Sequence, residues 1–195
     1  MENASSPRNS IFLTFDDGPN EPYTSQILDI LKHYRACASF FVCGKNALFY
    51  PEVTRRIVAE GHSLGNHSYS HSRLLTYAGL LRREIETTDE ILQKITGVET
   101  RLFRPPWGIA MPWLGSYIKA SGHKMILWDI MAFDWWKVPV SFIINRVSSH
   151  ARPNAIVLLH DGNQTRKNSN RNRTVLALPG IIEKLKEKDF DFETL

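Results

Sequence analysis

The run Thr14-Phe15-Asp16-Asp17-Gly18-Pro19 sets two adjacent carboxylates in a turn shaped by glycine and proline. On its own, Asp-Gly is common turn chemistry. A second run, Gly65-Asn66-His67-Ser68-Tyr69-Ser70-His71, carries two histidines four residues apart. They share one face if the segment makes a helical turn, an arrangement that suits two imidazoles on one ion. Two His and one Asp leave coordination positions open for water and substrate, as a catalytic zinc requires. With two neighbouring acids, one can bind metal while the other stays free for protons.

Three more polar clusters follow. Arg104-Pro105-Pro106-Trp107-Gly108 stiffens the backbone around an arginine and a candidate N–H donor. Trp128-Asp129 is followed shortly by Asp134-Trp135-Trp136, and Val157-Leu158-Leu159-His160-Asp161-Gly162 ends an apolar run on a histidine. Metal-assisted hydrolysis would need an activated water, a base, an oxyanion partner and an acid for the leaving group. These clusters hold residue types for all four, and no Ser-His-Asp elbow or cysteine nucleophile is apparent. Non-haem iron oxygenases also use two His and one carboxylate, but they have no evident use for Asp16, Arg104 and His160 together.

The elements that must position these residues alternate along the whole chain. Strands are expected at Ile11–Phe15, Ala38–Val42, about His62–Leu64, Arg101–Phe103, Lys124–Trp128, Ala155–Leu159 and Phe190–Thr194. Helices are expected after each but the last: Ile27, Leu28, Leu31 and Tyr34 form one face, and Pro51 opens a helix that Gly61 stops. A long helix runs from about Ala78 to Ile95, and shorter ones cover Trp113–Ala120, Phe142–Ser149 and Leu178–Leu185. About seven β/α units imply a parallel sheet with helices outside, doubly wound or closed as a barrel. In either case a ligand site lies at the carboxyl ends of the strands, where all five clusters fall.

The 195 residues are 43% apolar and 23% charged, a globular composition that fits one domain. Residues 1–10 read as an N-terminal extension and residues 11–195 as the catalytic domain. No run approaches a membrane span, and the first residues carry no apolar segment of a signal peptide. Export to a cell wall or periplasm would need a signal removed upstream; otherwise the expectation is cytoplasmic. The net charge of +4 favours polyanions only mildly. Arg166, Lys167, Arg171 and Arg173 are therefore expected in a solvated loop and not in a nucleic-acid surface. Cys37 and Cys43 flank a predicted strand about 20 Å long, too far apart to pair, and read as free thiols.

TFDDGP, HSYSH, RPPWG, the FDW segment and LLHDG resemble, in order, the five motifs of the polysaccharide deacetylases (NodB-homology domain, carbohydrate esterase family 4). The resemblance covers nearly the whole chain. It implies a distorted (β/α) barrel and metal-dependent removal of acetyl groups from an acetylated glycan. Carried over, Asp17, His67 and His71 would bind a divalent metal, zinc or alternatively cobalt. Asp16 would be the general base and Arg104 its orienting partner. His160 would be the general acid, tuned by Asp134. Trp107 would lend its backbone N–H to the oxyanion, and Trp135 and Leu158 would wall the acetyl pocket. Met131 departs from the family pattern, which often has Asp there. The expected substrate is an N-acetylglucosamine unit of peptidoglycan or chitin, and the nearest alternative is O-acetyl xylan; a metal-dead carbohydrate-binding module is an alternative from another class, and the intact metal and acid–base set argues against it.

Overall fold

The computed structural model describes residues 9–78, 80–163 and 169–195. Every strand pairing in it is parallel. The strands are β1 (Ser10–Asp16), β2 (Ser39–Val42), β3 (Ser63–Asn66), β4 (Leu102–Phe103), β5 (Lys124–Met125), β6 (Ile130–Met131), β7 (Ile156–His160) and β8 (Asp191–Phe192). Seven follow the order β5-β4-β3-β2-β1-β7-β6, and β8 joins the opening residues of β1. The helices are α1 (Tyr23–Tyr34), α2 (Gly44–Phe49), α3 (Pro51–Ala59), α4 (Arg73–Tyr77), α5 (Leu81–Thr96), α6 (Pro112–Ala120), α7 (Val140–His150) and α8 (Asn172–Lys186).

Chain length forces this sheet to curl. β5 and β6 are consecutive in the chain yet lie at opposite ends of the strand order. A flat seven-stranded sheet would hold them about 29 Å apart. The chain from Met125 to Ile130 reaches about 18 Å at most. The result is a curled half-barrel in one domain, the distorted barrel expected from the motifs.

The central strands present an apolar face to the helices that cover it. Leu13, Phe15, Phe40, Val42, Val157 and Leu159 are fully buried with Ile27, Leu28, Leu31, Ile181 and Ile182 from α1 and α8. Leu81, Ile85, Phe103, Leu114 and Ile118 make a second core between α5, α6 and β4. Cys37 and Cys43 are free thiols. Burial pushes the Cys43 thiol well above its ordinary value, so it behaves as an inert core residue.

The strand expected at Lys124–Trp128 is cut to two residues, because the carbonyls of Ile126 and Leu127 accept from Arg104 instead. The expected start near Ala78 resolves into two helices, with the Ser72 hydroxyl capping α4 ahead of α5. α2 and β6 have no expected counterpart: α2 leaves Leu48 and Phe49 exposed, and β6 is two residues long. α8 begins six residues before the expected Leu178 and passes through Pro179.

Candidate active site

The strand-end clusters converge on one cleft of about 350 Å³. β1 delivers Asp16 as its last residue, directly opposite His160 at the end of β7. One step on, Asp17 turns away in the left-handed region at φ 71°. The turn is locked from below: a side chain at Gly162 would meet the Asp17 carbonyl oxygen at 2.1 Å, so only glycine fits.

Arg104, fully buried, is the tie across the gap of the half-barrel. Its Nη1 donates to Asp16 Oδ1 at 2.6 Å and to the Thr14 hydroxyl at 2.8 Å. Nε and Nη2 donate to the Ile126 and Leu127 carbonyls. Its guanidinium lies 4.0 Å from the Phe41 ring centroid. Burial lowers its pKa, and the charge and hydrogen bond of Asp16 oppose that change.

His67 follows β3 directly, and His71 lies in the loop before α4. The expected helical turn is absent. Ser68 and His71 adopt left-handed φ values of 63° and 53°, and the loop folds the two rings to 4.8 Å. Asn66 and Glu84 hold the loop: Asn66 Oδ1 accepts from Ser68 N, and Glu84 accepts from both the backbone and hydroxyl of Ser70. Asn66 Nδ2 is in turn fixed by the Ile85 carbonyl and Asp89.

Asp17, His67 and His71 place three buried donor atoms within 4.8 Å of one another. Asp17 Oδ1 lies 3.5 Å from His67 Nε2 and 3.3 Å from His71 Nε2 and has no hydrogen-bond partner. His67 Nδ1 is 2.7 Å from the Arg104 carbonyl, which fixes a proton on Nδ1 and leaves Nε2 as the ligating atom. Burial pulls His71 down to about 4, so it is a neutral imidazole at neutral pH. Burial raises the Asp17 carboxyl, but the neighbouring His67, His71 and His160 rings outweigh it and hold it below the usual range. An anionic acid and an uncharged imidazole at a carboxylate oxygen with no donor are a donor set that fits a divalent cation.

Opposite stands His160. Its Nδ1 lies 2.9 Å from Asp134 Oδ1, and its backbone N donates to Asp134 Oδ2 at 2.7 Å. The Thr174 hydroxyl also donates to Oδ2 at 2.7 Å. Burial lowers His160, but Asp134 more than compensates and raises it above its ordinary value. Burial likewise raises Asp134, and His160 and Thr174 outweigh it and lower it. Trp135 packs its ring against the His160 imidazole at 4.8 Å.

Trp107 stands on the rim, 48% exposed, with its ring 5.0 Å from that of His71 and φ at 61°. Leu158 and Trp135 line the cleft. Met131 lines it too, paired in register with Leu158, so the position often acidic in the family is an apolar wall here. Trp128 lines the cleft as well, and so do Arg171 and Asn163, the last of which sequence reasoning missed. Arg171 corrects the solvated-loop expectation. It is buried, and its Nε donates to the Gly162 carbonyl at 2.6 Å. Arg173 is exposed, and Arg166 and Lys167 lie outside the described residues.

A sequence profile of the polysaccharide deacetylases matches residues 3–126. The chain belongs to that family. A peptidoglycan-N-acetylglucosamine deacetylase of Bacillus cereus is 34% identical over 95% of this chain, which spans 66% of that protein. A chitooligosaccharide deacetylase of Rhizobium leguminosarum bv. trifolii is 36% identical over the whole chain and 94% of its own length. Among solved structures, the Bc1960 peptidoglycan N-acetylglucosamine deacetylase superposes with a TM-score of 0.86 at 32% identity, covering 96% of this chain and 86% of that one. BA3943 of Bacillus anthracis, a pseudoenzyme of carbohydrate esterase family 4, superposes at 0.84 with 26% identity over 96% of this chain and 64% of its own. The deacetylase fold thus occurs with and without activity, and the residues in the cleft have to carry the functional argument. Among the described residues no helix is long and apolar enough to cross a membrane.

Proposed function

We propose that this polysaccharide deacetylase hydrolyses the N-acetyl group of N-acetylglucosamine units in a peptidoglycan- or chitin-like glycan, with residues 11–195 as the catalytic unit. The observation that carries the reading is one cleft with two chemically opposite walls. Asp16, Asp17, His67 and His71 form one, and His160 backed by Asp134 forms the other. A divalent cation on Asp17, His67 and His71, with zinc proposed over cobalt, would supply charge that activates water and polarises the acetyl carbonyl.

The protein's own groups account for the protons. Asp16, oriented by Arg104, takes a proton as water adds to the acetyl carbon. His160, kept protonated by Asp134, delivers one to the nitrogen as the C–N bond breaks. Acetate and a free amine result. The backbone N–H of Trp107 is the proposed oxyanion partner, and Trp135 with Leu158 the acetyl pocket. An amine leaves poorly unless protonated, so a fully built His160–Asp134 pair favours an amide over an acetate ester.

The test is acetate release from N-acetylated chitooligomers, peptidoglycan fragments and acetylated xylan. Release from the first two, lost on chelation and restored by Zn²⁺ or Co²⁺, is the expected result. His71→Ala should lose bound metal and activity together. Turnover of xylan alone, or full activity without metal, would overturn the proposal.

A further inference from the structure

The proposed chemistry uses Asp134 and Trp135 but leaves Phe133 and Trp136, on either side of that pair, without a role. Trp136 is 56% exposed, the largest exposure of any tryptophan among the described residues. Its indole stacks on the Phe133 ring at 5.1 Å with an interplanar angle of 29°. It also meets Trp135 edge-on at 6.2 Å, and Trp135 in turn touches His160 at 4.8 Å. The rings form a continuous aromatic strip from the acid wall of the cleft out to solvent. Arg146 of α7 braces the outer end, with its guanidinium 5.6 Å from the Phe133 centroid and its Nε donating to the Met131 carbonyl.

Two features make this strip more than a chance exposure. Phe133 is held at φ 59°, a conformation that bulky residues rarely adopt and that costs on the order of 1–3 kcal/mol. That strained backbone sits between the cleft-lining Met131 and Trp135. A flat indole left in water beside a cleft is also an unfilled apolar surface. Its size and planarity match the C–H face of a pyranose ring.

We infer that Trp136, seated on Phe133, is a stacking platform for a sugar ring next to the residue in the cleft, so that the protein recognises a glycan chain and not a single acetylated sugar. This rests on the glycan reading above. The occupant follows from continuity: the strip leads out of the cleft, and a glycan whose acetyl group lies by His160 must leave it along one wall or the other.

The experiment measures binding of N-acetylglucosamine, chitobiose and chitotetraose to chelator-treated protein, by chemical-shift titration of the tryptophan indole N–H signals. Acetate release by the metal-loaded protein is measured in parallel. Wild type should bind the tetramer more tightly than the dimer. Trp136→Ala should reduce that preference about tenfold, as truncation of a buried interface tryptophan commonly does. Trp136→Phe should retain most of it. An unchanged preference in Trp136→Ala, or none in wild type, overturns the platform. A wild-type dimer that Trp136→Ala dissociates, seen by sedimentation, would overturn it too by making the strip a self-association surface. Release of acetate from chitotetraose by both proteins at equal KM would sink the platform alone. Absence of binding and release on every glycan would sink the functional reading itself.

Discussion

The two walls of the cleft are built by opposite strategies. On the acid wall, both Asp134 oxygens are filled from within the protein: His160 supplies two donors and Thr174 a third. His160 and the Asp16 that faces it are strand-end residues in register. On the metal wall, Asp17 and His71 have left-handed backbone, and Ser68 between the two histidines does as well. Asp17 Oδ1 is buried without a donor. The acid wall satisfies its carboxylate from within the protein, whereas the other wall gathers two imidazole nitrogens around a carboxylate oxygen that no protein donor reaches. Strained loops and unpartnered polar atoms concentrate where a ligand is to supply the missing energy.

Asp16 joins the two walls, and its removal should have the largest effect. Asp16→Asn keeps the shape and an acceptor for Arg104 but no longer takes a proton. A positioned base is commonly worth about 10²–10⁴ in rate, so kcat should fall by that range while metal content, read by elemental analysis, stays at wild-type level. Parallel loss of metal and rate would move Asp16 into the metal wall and erase the distinction drawn here.

The same contrast governs what could be read from residue types alone. Asp16 and His160 are legible because the apolar runs Ile11–Phe15 and Ala155–Leu159 mark their strands, and a strand end is where a parallel sheet places its ligands. The metal wall was legible in composition but not in geometry. Spacing suggests a helical turn for His67 and His71, and the structure reaches the same convergence through left-handed residues that Asn66 and Glu84 support from elsewhere in the chain. Arg171 shows the limit most plainly. In a run with Arg166, Lys167 and Arg173 it reads as one more solvated charge, yet it is buried against Gly162 and lines the cleft. The contact is made by the fold: Arg171 directly precedes α8, and its guanidinium turns back onto the Gly162 carbonyl just past β7.

The metal wall's dependence on distant support is open to test at Asn66. Its amide is fully buried and makes three hydrogen bonds, to Ile85, Asp89 and Ser68. Asn66→Ala removes the acceptor that holds Ser68 at φ 63° and strands the Asp89 carboxylate with fewer partners. Outer-shell partners of metal ligands are typically worth 10–100-fold in affinity, and Zn²⁺ affinity by competition with a chelator should fall by about that factor. Unfolding should become easier by about 1–3 kcal/mol from the unpaired groups. None of these three hydrogen bonds reaches His160, Asp134 or Thr174, so the pH at which His160 loses its proton, read by NMR in the metal-free variant, should not move. A shift there would mean that the walls are not separable.

The smallest expected effect lies at the rear of the acid wall. Thr174→Val keeps volume and removes one of the three donors on Asp134. Asp134 is lowered below its ordinary value and Thr174 is among the causes, so its contribution to stability is present above the unfolded carboxylate range and lost as pH falls through the lowered value. His160 is raised, so its contribution is complete below its unfolded value and lost as pH rises through the raised one. The pair therefore stabilises the fold only between those two limits. Within that window, denaturant unfolding of Thr174→Val should show a loss of about 1 kcal/mol. Part of that loss should disappear at acid pH, where Asp134 is protonated in both proteins. With Asp134 less firmly anionic, His160 should also release its proton at slightly lower pH, which would move the alkaline limb of the activity profile toward neutrality. Metal affinity should be unchanged, because Thr174 reaches the cleft only through Asp134. A loss of Zn²⁺ affinity in this variant, with the alkaline limb unmoved, would reverse the assignment of the two walls.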